Sequence, residues 1–189
     1  GRWITWKAPD SVEATAHPMW TLPDPKQPDA FAPVHIVLAA PVPDSSHGGH
    51  GRVFVTDSRS ETVFRQTTLL DMNMSHIELY PPVPELVWRM VALQADRLLA
   101  LRSEDSSETV ECDITAFDIR TPATLLYWDV QTRIELTLRT RGGTRTVSAA
   151  TSERTFIWPS REIITRVVRE TLRQTEEKTY LALWELFVQ

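Results

Sequence analysis

Cysteine occurs once in this chain, at Cys112, so neither an internal disulfide framework nor a zinc site built on paired cysteines is available. Lysine is confined to Lys7, Lys26 and Lys178, and arginine carries nearly all the positive charge. Glycine occurs only 6 times in 189 residues. There is no glycine-rich phosphate loop, no dinucleotide fingerprint and no Gly-x-Ser-x-Gly elbow. No apolar run approaches the roughly 20 residues that span a bilayer as a helix. The net charge of −5 and sequence pI near 5.6 argue against a nucleic-acid partner, which requires a basic face.

The length suits one domain with an arm. Residues 1–32 are punctuated by Pro9, Pro18, Pro23, Pro25 and Pro28, which predicts an extended or irregular Pro/Trp-rich arm. It carries Trp3, Trp6 and Trp20, side chains that favour burial against a surface. Residues 33–189 are expected to form a single α+β domain. Strands are predicted over Val34–Leu38 and Arg52–Thr56, as one or two short strands around Thr62–Gln66 and Ser75–Leu79, and over Thr109–Ile119, Leu125–Arg139 and Thr144–Thr155.

In the Thr109–Ile119 strand, Val110, Cys112, Ile114 and Ala116 are expected to share a face. In the Leu125–Arg139 strand, Trp128, Val130, Ile134, Leu136 and Leu138 point one way and charged residues the other. Gly142-Gly143 predicts a tight reversal that pairs the last two strands antiparallel. One helix should begin after Pro81–Pro84 and run to about Leu101, lined by Val87, Val91, Ala95 and Leu98. A second, capped by Ser160, should run unbroken from Arg161 to Phe187. The expected architecture is an antiparallel or mixed sheet of about five or six strands with two main helices packed on one face.

Chemistry-bearing clusters are sparse. His47 and His50 flank Gly48-Gly49, and two imidazoles three residues apart are a candidate transition-metal pair, with Asp44 as a weak third ligand. Asp57-Ser58-Arg59 closes a strand, where sites often lie, although an Asp there also accepts backbone N–H bonds in a turn. Cys112 falls in an alternating strand and reads as a small core residue. Arg141 and Arg145 flank the Gly-Gly turn and are candidates for an acidic partner or headgroup. Trp184 and Phe187 make the C-terminal end unusually apolar, a candidate docking end. No cofactor is implied.

The order of elements resembles that of small bacterial envelope lipoproteins. A Pro-rich lead is followed by Val34–Leu38, then by Arg52–Thr56 ending in Asp57-Ser58-Arg59. A helix follows Pro81–Pro84. Strands containing Val110–Phe117 and Trp128–Leu138 then lead through a Gly turn to a closing helix. This layout, over roughly Val34 to Gln174, is similar to the auxiliary lipoprotein component of ABC-type transport systems and to YajG-like and LPS-assembly lipoproteins.

The resemblance implies a non-enzymatic periplasmic or outer-membrane-associated component. Such a component would bind protein subunits of a larger assembly, or lipid, and could be a homo-oligomer. It implies no catalytic residues. A signal peptide ending at a cysteine ahead of Gly1 would fit this reading, and a plain start would fit the alternative of a cytosolic interaction scaffold. The enzymatic alternative is a metal-dependent or hydrolytic site using His47, His50 and Asp57.

Overall fold

A computed structural model describes residues 4–6, 32–43, 52–67, 69, 73–101 and 108–188, and of 4–6 and 188 the backbone alone. Its strands are β1 (Ile4–Trp6), β2 (Val34–Val37), β3 (Arg52–Asp57), β4 (Phe64–Thr67), β5 (Asn73–Tyr80), β6 (Thr109–Arg120), β7 (Trp128–Thr140) and β8 (Gly143–Thr155). Its helices are α1 (Val83–Leu101) and α2 (Arg161–Val188).

The α+β expectation holds, but the strands are more numerous than expected and divide between two sheets. The larger has the order β1-β3-β6-β7-β8 and the smaller β2-β5-β4. Both are mixed, because β3 runs parallel to β6 and β2 parallel to β5. Within the arm, Ile4–Trp6 pairs with β3 as an edge strand.

The β7–β8 hairpin is the longest pairing, from Trp128↔Thr155 to Thr140↔Gly143. Its alternation buries Val130, Thr132, Ile134, Leu136 and Leu138 on β7, and Val147 and Ala149 on β8. Gln131, Arg133, Ser148, Ala150 and Ser152 face solvent on the opposite side. Helix α2 lies on the buried side against both strands, and α1 lies beside it against β3 and β6. The lengths match: 28 helical residues at 1.5 Å span roughly 42 Å, and 13 strand residues roughly 44 Å.

Threonines fill the middle of the α2–β8 contact. Thr171, Thr175 and Thr179 are fully buried, four residues apart. The Thr171 hydroxyl donates to the Val167 carbonyl (3.0 Å) and that of Thr175 to the Thr171 carbonyl (2.7 Å). Two of the three buried hydroxyls are thus satisfied within the helix, as burial requires.

Strand β6 departs from simple alternation. Val110, Cys112 and Ile114 are buried as expected, but Ala116 is not part of that buried face. Ile114 pairs with Leu136 and Ala116 with Glu135, leaving Thr115 as an extra residue in a β-bulge. The bulge moves the buried set to Phe117 and Ile119. The Thr115 hydroxyl donates to the Glu135 carbonyl oxygen at 3.1 Å, tying the extra residue down. Arg133 and Thr115 hydrogen bonds hold the Glu135 carboxyl below its ordinary range.

Beyond the bulge, Phe117 meets Phe64 of the smaller sheet, with ring centroids 5.9 Å apart. The Arg59 guanidinium sits 5.9 Å from the centroid of each ring. It also grips Asp57 with two bonds, Nε to Oδ1 and Nη2 to Oδ2, both 2.7 Å. The two side chains are 6% and 7% exposed, so the pair is a buried clasp joining the sheets. Next to it the Ser58 hydroxyl donates to Asp113. Burial pushes the Cys112 thiol far above its ordinary value, which leaves it a protonated core group.

The hairpin turn has a steric reason for each glycine. Gly143 adopts φ 126°, a conformation open to glycine. At Gly142 an added Cβ would lie 2.1 Å from the Leu186 carbonyl oxygen, because the end of α2 rests on the turn.

Gly142→Ala is therefore expected to cost about 1–3 kcal/mol of unfolding free energy in denaturant titrations, by displacing the last turn of α2. Arg59→Met, which strands a buried carboxylate, is expected to cost about 3–5 kcal/mol, and Asp57→Asn/Arg59→Met markedly less than the sum of its parts.

Candidate functional site

Loops are ordinarily polar, and two loops at one end of the larger sheet are not. Residues 121–127 connect β6 to β7, and residues 156–160 connect β8 to α2. Because Trp128 pairs with Thr155, both loops emerge side by side. They present Leu125 at 90%, Leu126 at 77%, Phe156 at 73% and Ile157 at 67% exposure. Four large apolar side chains concentrated this way mark a binding surface.

Each tip is held by a threonine. The Thr124 hydroxyl accepts from the Tyr127 amide (3.0 Å) and the Leu126 amide (3.3 Å) and donates to the Tyr127 carbonyl (2.8 Å). The Thr124 amide also donates to the Tyr127 carbonyl, at 2.7 Å. In the second loop the Thr155 hydroxyl donates to the Ile157 carbonyl at 3.2 Å. These local bonds turn the chain so sharply that the side chains between them have no core to enter.

Aromatic rings join the tips from behind. Tyr127 meets Phe156 edge-on with centroids 6.4 Å apart, and Trp128 meets Trp158 at 6.0 Å. The Arg154 guanidinium covers the Tyr127 ring at 3.9 Å and pairs with Asp129 at 3.6 Å. The end therefore consists of apolar tips, an aromatic layer, and charged residues already paired with one another.

The residues singled out from sequence fall elsewhere. His47 and His50, like Trp3 and Trp20, lie outside the described residues. For Trp6 the structure describes the backbone, in β1. Among the described residues no group of three His, Cys, Asp or Glu is arranged to hold a metal ion. Asp57 pairs with Arg59 through both its carboxylate oxygens, and its side chain is 7% exposed.

Phe187 is corrected as a docking residue. It is 4% exposed, turned inward one helical turn after buried Leu183. Trp184, 49% exposed, lies on the outer side of the same turn. Arg145 is bound at 3.0 Å to Glu185 of α2, and Arg141 is exposed at the hairpin tip. The hairpin tip and the C-terminal end of α2 thus share the pole opposite the apolar tips.

Leu125, Leu126, Phe156 and Ile157 were not selected from the sequence. The available signal was bulky apolar residues in segments bounded by Pro122 and Pro159, positions where turns favour polar side chains.

No family model and no curated protein matches the chain. Among solved structures, one described as "Crystal structure of uncharacterized protein" is similar at 9% identity, with a TM-score of 0.46, covering 77% of this chain and 97% of its own.

Thr124→Val is expected to remove the bonds that close the first tip. Hydrogen exchange at the Leu126 and Tyr127 amides should then accelerate about tenfold, with global stability changed little.

Proposed function

We propose that this chain is a non-enzymatic docking component of the cell envelope that meets a lipid surface through its two apolar tips. The single observation that carries the reading is the exposure of Leu125, Leu126, Phe156 and Ile157 together at one pole. At 90% exposure Leu125 has almost no neighbours that could form a groove with it, so any partner must supply nearly all of its burial. An acyl layer does this without shape complementarity, whereas a protein partner would need a matching cavity.

The layering behind the tips supports the same partner. Tyr127, Trp128 and Trp158 stand where aromatic rings favour the boundary between hydrocarbon and water. Removing all four tip side chains from water would contribute on the order of 6 kcal/mol. That is comparable to one acyl chain, which gives marginal, reversible attachment. The tips would accordingly act with a second attachment, and an accessory lipoprotein-like subunit of a transport or envelope-assembly system has one. The opposite pole, with Arg141 and Trp184, remains available to partner subunits.

Co-sedimentation with phosphatidylcholine vesicles containing phosphatidylglycerol tests the reading. The chain is expected to bind weakly, with a blue shift in tryptophan fluorescence. Leu126→Asp/Phe156→Asp, with an unchanged circular dichroism spectrum, should bind at least about tenfold more weakly. Equal sedimentation of both proteins, or none by the parent chain, would overturn it.

A further inference from the structure

The charges behind the apolar tips select among lipid surfaces. Neither loop holds a charged residue: 121–127 read Thr-Pro-Ala-Thr-Leu-Leu-Tyr, and 156–160 read Phe-Ile-Trp-Pro-Ser. Charge begins directly behind them. Arg120 precedes the first loop, Arg154 lies two residues before Phe156, and Arg161 follows the second loop.

Each of these arginines has an acidic neighbour. Arg120 lies 3.9 Å from Asp118, Arg154 3.6 Å from Asp129, and Arg161 3.6 Å from Glu162. Further along α2, Arg166 is bound to Glu153. Taken together these side chains carry no net charge. An anionic lipid surface gains about 1 kcal/mol from each basic side chain held beside it. Here a matched carboxylate takes that gain back, and the chain as a whole carries −5.

The three pairs nearest the tips are loose. Their distances exceed the roughly 2.7–3.2 Å of a hydrogen bond, and all three arginines are exposed. Exposed pairs of this kind exchange partners at little cost. Each sets a cation beside an anion, and a zwitterionic headgroup carries the complement: a phosphate for the guanidinium and an ammonium for the carboxylate. Two of the pairs lie on the outer face of the larger sheet and the third at the start of α2, so they stand on both sides of the tips.

Depth agrees with this pairing. Two residues of extended chain separate Phe156 from Arg154, roughly 7 Å. The headgroup region of one leaflet is about 5–8 Å deep. Tips seated among acyl chains would therefore hold the loose pairs at the level of the headgroups.

We infer that the lipid surface met by the tips is zwitterionic, its phosphate and ammonium groups engaging the pairs Arg120–Asp118, Arg154–Asp129 and Arg161–Glu162. The headgroup assignment rests on the lipid contact of the tips and adds its chemistry. An anionic layer would satisfy the arginines and repel the carboxylates beside them.

Co-sedimentation of the intact chain with two vesicle populations tests it: phosphatidylcholine alone, and phosphatidylcholine mixed with phosphatidylglycerol. At about 50 mM salt the phosphatidylcholine vesicles should bind several-fold more tightly, and about 300 mM salt should close the gap by screening. Asp118→Asn/Asp129→Asn, with an unchanged circular dichroism spectrum, leaves Arg120 and Arg154 unopposed. It should gain about tenfold on the mixed vesicles and reverse the preference. Leu126→Asp/Phe156→Asp should lose binding to both.

Equal or tighter binding of the parent chain to the mixed vesicles at low salt, lost on substitution of the tips, would overturn the headgroup assignment and leave the tips as the lipid contact. Retention of the parent preference by Asp118→Asn/Asp129→Asn would also overturn it, because the loose pairs would then play no part. Binding to neither population would overturn the lipid contact itself, and the headgroup assignment with it.

Discussion

Strand β6 runs between β3 and β7, and the extra residue Thr115 exchanges the sides of its residues half-way along. Before the bulge, Val110, Cys112 and Ile114 enter the core; after it, Phe117 and Ile119 do. Unbroken alternation would have driven Asp118 and Arg120 under the helices, at the cost of burying unpaired charge. Because Phe117 faces inward, it can meet Phe64, and Arg59 can lie against both rings. The smaller sheet is thereby joined to the larger through one bulge, one ring pair and one clasped guanidinium.

The second constraint is the length match between α2 and the β7–β8 hairpin. The helix begins where the strands end at Trp128 and Thr155 and finishes on the turn at Gly142. That arrangement creates two unlike poles. At one, the β6–β7 and β8–α2 loops emerge together with their apolar tips. At the other, the hairpin turn lies under the last turn of α2, so Leu183, Leu186 and Phe187 are spent on internal packing. Arg166, Arg169 and Arg173 lie along the flank of α2 between the poles, on the side of β2.

The apolar tips and the α2 flank differ in physics. The tips gain from any apolar medium and carry little specificity. On the α2 flank Arg166 and Arg173 are already paired with Glu153, Glu170 and Glu177, so its charges are largely matched within the chain.

The periodicities of the chain determined the α+β class, both helices and the hairpin, because a two-residue or 3.6-residue repeat of apolar side chains is a local property. Val130, Ile134, Leu136 and Leu138, and the stripe through Val87, Val91, Ala95 and Leu98, were legible for that reason. What the sequence could not disclose was whatever depends on which segments meet. The division into two sheets turns on β2 and β5 pairing in parallel across a long separation. The bulge at Thr115 leaves the composition of β6 looking regular while reversing its faces. Phe187 and Trp184, three residues apart, fall on different sides of a helix whose orientation is decided by the sheet beneath it. The apolar tips became a site because strand register brought two loops to the same pole, and a register is a relation between segments that neither contains alone.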